Sequence, residues 1–161
     1  MDDMFMRKIS FPRYAEYNCA FRYIFEEAMD VRCIQPPAIT KRTMELGAKY
    51  SPEFVCTPFK ITLGSMIEAL EAGANTLLMV HGLCRLGYYG ELQERILRDM
   101  GYDFTMLNFS HGIEQGYVGW GREVLRMVNP DIAIPHGVKQ LLAVGHMMGL
   151  PVPAVFHHSQ R

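Results

Sequence analysis

Residues 63–107 read LGSMIEALEAGANTLLMVHGLCRLGYYGELQERILRDMGYDFTML, and this stretch decides the fold. At its centre, NTLLMV (75–80) is an almost unbroken apolar run of strand length, the pattern of a strand covered on both faces. Ahead of it, residues 63–72 place Met66, Ile67 and Leu70 at helical spacing, and Gly73 supplies a stop. Behind it come a glycine-bearing loop (81–87) and a helical pattern over 88–100, with Leu92, Ile96, Leu97 and Met100 on one stripe. Glu91–Arg95 and Glu94–Arg98 support that helix as i,i+4 pairs, and Gly101 ends it. Residues 104–107 form the next strand. Helix, strand, helix and strand in succession predict a parallel sheet with crossover helices.

The same alternation extends toward the N-terminus. Residues 8–11 read as a first strand, and Asn18 caps a helix with Phe21, Ile24, Phe25 and Ala28 on one face. Residues 31–34 make a second strand, stopped by Pro36 and Pro37. Thr40 offers an N-cap to a short helix through Met44 and Leu46. Toward the C-terminus the pattern predicts a helix over 117–128, a strand over 131–134, a glycine-containing helix over 138–148, and an edge strand or tail over 151–156. With 161 residues, no internal repeat and no low-complexity linker, a single α/β domain over 1–161 is expected.

Composition narrows the function classes. The chain is 49% hydrophobic and 20% charged with a formal net charge of −1, so no strong field draws it to nucleic acid or an anionic membrane. No apolar run is long enough to span a bilayer. The opening MDDMFMRKISF lacks the basic and apolar regions of a signal peptide, so a reducing cytoplasm is expected. There the four cysteines, Cys19, Cys33, Cys56 and Cys84, are expected as thiols or metal ligands rather than disulfides.

In an open α/β sheet ligands gather beyond the carboxyl ends of the strands, and two cysteines fall near them. Cys84 lies in HGLCRLGYYG (81–90), directly after the strongest strand; Cys56 lies in VCTPFK (55–60), before the helix that packs toward it. Gly82, Gly87 and Gly90 allow close backbone approach to an inorganic group, and the helix start that follows offers amides to negative charge. Arg85 and Lys60 are placed to favour a thiolate. Pro58 is expected to hold its segment extended. His81 and Cys84 form an H-x-x-C pair compatible with a shared ion, although a loop histidine also commonly bonds backbone. Cys19 and Cys33 read as small buried hydrophobes. No carboxylate pair points to acid–base catalysis. GYVGWG (116–121) does not match a phosphate loop, so no ATP site is expected.

Two segments carry a family resemblance: KRTMELGAKYSPEFVCTPFKITLGSMIEALEAGANTLLM (41–79) and CRLGYYGELQERILRDMGYDF (84–104). Their C-x-P-x-K, L-G-x-x-x-E-A-L-E-x-G-A and C-R-x-G-Y-Y-G elements resemble the acyl-CoA dehydratase activase-related proteins, relatives of the 2-hydroxyacyl-CoA dehydratase subunits. The resemblance implies a Rossmann-like, three-layer α/β fold corresponding to the N-terminal part of a longer family fold. It also implies a [4Fe–4S] cluster with Cys56 and Cys84 as ligands, and His81 or Cys33 as a further one. Leu83 and Leu86 replace the proline and phenylalanine usual in the family.

The implied function is an iron–sulfur electron-transfer or accessory component of an acyl-CoA dehydratase or reductase system, with ATP hydrolysis left to a partner. The alternative is a cluster-free α/β binding or assembly module; a zinc site of Cys56, His81 and Cys84 is a third. A shortened fold leaves apolar surface, so a homo-oligomer or a heteromeric partner is expected, with acyl-CoA as the small-molecule candidate.

Overall fold

The computed structural model describes residues 7–13, 18–79, 89–108 and 126–129, with single positions at 135 and 139. Four strands form one parallel sheet: β1 (Lys8–Ser10), β2 (Arg32–Cys33), β3 (Thr76–Met79) and β4 (Thr105–Asn108). Their spatial order is β2-β1-β3-β4. Ile9 aligns with Cys33 on one side and with Thr76 on the other, and β3 runs in register with β4 from Thr76–Thr105 to Met79–Asn108. Asn75 ties three strands together at the amino-terminal edge: its side-chain oxygen accepts the Lys8 amide at 2.8 Å, its amide donates to the Lys8 carbonyl, and its carbonyl accepts the Thr105 amide.

Helices cover both faces, as a sheet of buried parallel strands requires. On one face, α1 (Asn18–Tyr23) continues into a π-helical turn, Ile24–Ala28. Asp30 closes it in the left-handed region (φ 51°), where the short polar side chain of aspartate is tolerated, and the Val31 amide reaches back to the Phe25 carbonyl. Phe11, Phe25, Met29, Cys33, Leu78, Leu107 and Val128 form the core there. On the other face lie α2 (Lys41–Tyr50), α3 (Thr57–Glu71) and α4 (Tyr89–Asp99), with a core of Phe59, Leu63, Met66, Ile67, Leu77, Met79 and Leu97. The three-layer α/β architecture expected from the alternating pattern is the one observed.

Three local readings change. Helix α3 begins at Thr57, six residues earlier than the apolar pattern indicated, and Pro58 belongs to its first turn rather than to an extended segment. A proline loses nothing there, because the amides of a first turn have no intrahelical partner. Asn18 stands as the first described residue of α1 rather than one position ahead of it. In α4 the buried line is Gly90, Gln93 and Leu97, while Leu92 is exposed. The stripe is rotated so that Gly90 sits against the Asn108 side chain of β4, where a Cβ would lie 2.4 Å from its amide group.

Helices α2 and α3 cross at two glycines. A Cβ at Gly47 would lie 1.8 Å from the Lys60 carbonyl oxygen, and one at Gly64 would lie 2.0 Å from that of Thr43. Beside this contact Thr43 donates to the buried Glu68 carboxylate at 2.6 Å, and Arg42 bridges Glu68 and Glu71. Among the described residues, no helix is long and apolar enough to cross a membrane. The elements expected over 131–134 and 151–156, most of 117–128, and 138–148 apart from Lys139 lie outside the described residues; Arg126, Met127, Val128 and Lys139 are helical.

Candidate functional site

The site is built where α3 and α4 begin. In a parallel α/β sheet each crossover helix runs back against the strands, so both helix starts lie at the carboxyl-terminal rim. Cys56 occupies the N-cap of α3 with extended geometry (φ −69°, ψ 160°), and its carbonyl accepts the Lys60 amide at 3.3 Å. Its thiol is exposed, in contact with the hydroxyl of Tyr89, the first residue of α4.

Three contacts lock the two first turns together. The Tyr89 ring meets Phe59 edge to face, with centroids 5.0 Å apart. Gln93, one turn on, is fully buried and donates to the Phe59 carbonyl at 3.2 Å and to Thr62 Oγ1 at 2.7 Å. Thr62 in turn donates to the Pro58 and Phe59 carbonyls. A sulfur that would otherwise swing freely at a helix end is thus fixed against a phenol whose own position is set by packing.

The electrostatics follow from these neighbours. The Tyr89 hydroxyl is the largest influence and holds the Cys56 thiol below its ordinary range; desolvation opposes it, and the amides of Phe59 and Cys56 itself add to the lowering. Cys33 shows the contrary case. It is buried on the α1 face, and burial, with the Glu26 charge second, pushes its thiol up to about 12. The sheet stands between Cys33 and Cys56, so Cys33 is not a ligand partner for it. Cys19, expected to be buried, is exposed on α1, because its position falls on the solvent side of a six-residue helix.

Of the residues singled out from the sequence, Cys56 and Lys60 are described: Cys56 faces the rim, and Lys60 is half-buried one turn into α3, with its carbonyl against Gly47. His81, Gly82, Cys84, Arg85 and Gly87 lie outside the described residues. Tyr89, Gln93 and Asn108 were missed. A polar Gln93 four residues before Leu97 on the inward line was the available signal. Asn108 ends β4 at the same rim, and its Oδ1 and Gln93 Oε1 are buried with no hydrogen-bond partner among the described residues.

Among the described residues, no three His, Cys, Asp or Glu side chains come together to hold a metal ion. The donor chemistry nonetheless fits one ligand position of a thiolate-ligated centre, since Cys56 is exposed, its thiol is held below the ordinary range, and it touches the Tyr89 hydroxyl. Against family models, curated proteins and solved structures, the chain finds no match in any of the three comparisons.

Proposed function

We propose that this chain is an iron–sulfur electron-transfer or accessory component related to the 2-hydroxyacyl-CoA dehydratases and their activases, with Cys56 and Cys84 as cluster ligands. The observation that carries the reading is the exposed thiol of Cys56, held below its ordinary range against the first residue of α4. The segment bearing Cys84 joins the end of β3 at Met79 to that same residue, Tyr89. Cys84 is five positions before Tyr89, which bounds their Cα separation at roughly 18 Å at full extension. In this reading the Cys84 segment meets Cys56 at that rim. His81, also in that segment, is the further ligand in this reading, and Gly82, Gly87, Arg85 and Lys60 surround the centre.

A bound [4Fe–4S] cluster would supply one-electron transfer. The chain's own part is to present sulfur at the rim, to surround it with amides and the Tyr89 hydroxyl, and to leave it open to a partner. The same reading places the protein in a reducing cytoplasm, with a second copy or a larger dehydratase component as its protein partner and an acyl-CoA as the substrate of the assembled system.

Anaerobic purification followed by iron and sulfide analysis, visible absorption and electron paramagnetic resonance tests the proposal. Brown protein containing iron and sulfide is expected, with loss of both in Cys56→Ser and in Cys84→Ser. A colourless protein that takes up no iron on reconstitution overturns the reading in favour of the cluster-free module, and stoichiometric zinc in its place identifies the zinc site.

A further inference from the structure

We propose that Arg13 anchors an oxyanion site at the carboxyl-terminal rim of the sheet, where its guanidinium takes the phosphate or carboxylate group of a small-molecule ligand. No cysteine enters this inference, and it stands apart from the iron–sulfur reading.

The sheet topology places the residue. β1 lies between β2 and β3; the chain leaves β1 for α1 on one face and reaches β3 from α3 on the other. The strand order therefore reverses between β1 and β3. In open α/β sheets ligands bind beyond the carboxyl ends of the strands at such a reversal. Arg13 follows the end of β1 by three residues. Its amide donates to the buried Ser65 Oγ of α3 at 3.2 Å, and its Nη1 donates to the Pro36 carbonyl, just beyond β2, at 3.2 Å. The residue is thus pinned at both ends, with its guanidinium across the carboxyl ends of β1 and β2.

Its charge sets it apart from the paired arginines. Arg22, Arg42, Arg95 and Arg98 are all exposed, and each meets a Glu or Asp carboxylate at 3.6 Å or less. Arg13 is half-buried, yet among the described residues it meets no carboxylate, and the Pro36 carbonyl engages only Nη1. A cation drawn partly out of water without a counter-charge is costly, and a bound anion removes that cost. The remaining donors of the planar fork match the paired oxygens of a phosphate or a carboxylate. A small ligand fits better than a polyanion, because a chain of net charge −1 has no broad positive field.

The test titrates the full chain with inorganic phosphate and with acetate, against sodium chloride at matched ionic strength. The Arg13 side-chain Nε–Hε signal in proton–nitrogen correlation spectra should shift saturably with phosphate or acetate and not with chloride. The anion that saturates at the lower concentration tells a phosphoryl ligand from a carboxylate. Arg13→Gln should weaken binding, read from the Ser65 backbone signal, about tenfold or more, the loss of one charge-assisted hydrogen bond. Arg13→Lys, which keeps the charge without the fork, should fall between. Arg42→Gln, at an exposed arginine already paired with Glu71, should bind as wild type does. If Arg13→Gln does not fold, the wild-type signal and Arg13→Lys decide. No saturable shift, a shift equal to that with chloride, or unchanged affinity in the Arg13 variants overturns the inference, and none of these results bears on iron uptake.

Discussion

At the scale of single residues, solvent exposure divides the described cysteines into two kinds. Cys19 and Cys56 are exposed, while Cys33 is packed among Phe25, Met29 and Val31. A thiol-labelling time course on native, metal-free protein should therefore modify Cys19 and Cys56, with Cys33 reacting only once the chain unfolds; mass spectrometry of the labelled peptides reads the result. The pH dependence has opposite signs at the two shifted thiols. Alkylation of Cys56 should rise through a midpoint below that of an ordinary thiol, and Tyr89→Phe should move that midpoint upward, because the hydroxyl is the largest cause of the lowering. Cys33 keeps its proton in the folded state after the unfolded chain has lost it. Its contribution to stability is whole below 9.0 and is lost as pH rises from there toward about 12. Urea denaturation across that window should show a falling midpoint in wild type, with a shallower fall in Cys33→Ala. The sequence showed where the thiols lie along the chain but not which of them faces water. For Cys56 it missed Tyr89 altogether, because 33 positions separate a sulfur from the hydroxyl it touches.

Secondary-structure elements expose the limits of periodicity more sharply. The two-glycine crossing of α2 and α3 is set by backbone proximity, and no hydrophobic pattern encodes it. Gly47→Ala would place a methyl group 1.8 Å from a carbonyl oxygen that is itself part of a helix, so the helices must separate. A loss of about 3 kcal/mol is expected, at the upper end for overpacking, measured as the shift in urea midpoint. Gly73→Ala is a useful comparison: nothing lies near its Cβ, and only the positive φ of 96° opposes the substitution, so its cost should be about 1 kcal/mol. Beside the crossing, Glu68→Ala should cost about 1–3 kcal/mol because it takes the carboxylate acceptor from the buried Thr43 hydroxyl. Arg42→Ala, on a side chain more than half exposed, should cost under about 1 kcal/mol. The strands over 75–80 and 104–107 and the helix over 88–100 were legible because each is a self-sufficient pattern of one period. The start of α3 was not. Cys56, Thr57 and Pro58 carry an N-cap and a first-turn proline, and these residues also suit an extended segment; only the packing of Phe59 and Leu63 against the sheet selects the helix.

For the whole molecule, the alternating pattern predicted a parallel sheet and helices on both faces, but not the order β2-β1-β3-β4. Strands of two to four residues carry too few side chains to specify neighbours, and their order is fixed by contacts distant in sequence. Asn75 is the clearest of these, since it joins β1, β3 and β4 at the amino-terminal edge, opposite the rim that carries Cys56. A four-residue strand spans roughly 13 Å, so the two edges are separated by more than the reach of a hydrogen bond or a metal ligand. Stability and chemistry should accordingly come apart under mutation. Asn75→Ala leaves the Lys8 amide without its side-chain acceptor and should lower the unfolding free energy by about 1–3 kcal/mol, with iron uptake per folded chain unchanged. Cys56→Ser alters an exposed atom and should change the stability of the metal-free chain by less than about 0.5 kcal/mol, while iron uptake collapses. Denaturation of the metal-free proteins and iron analysis of the folded fraction, run on both variants, give a two-by-two comparison. If Asn75→Ala loses iron in proportion to Cys56→Ser, the centre depends on the sheet as a whole rather than on the paired starts of α3 and α4, and the assignment of the rim as its seat fails.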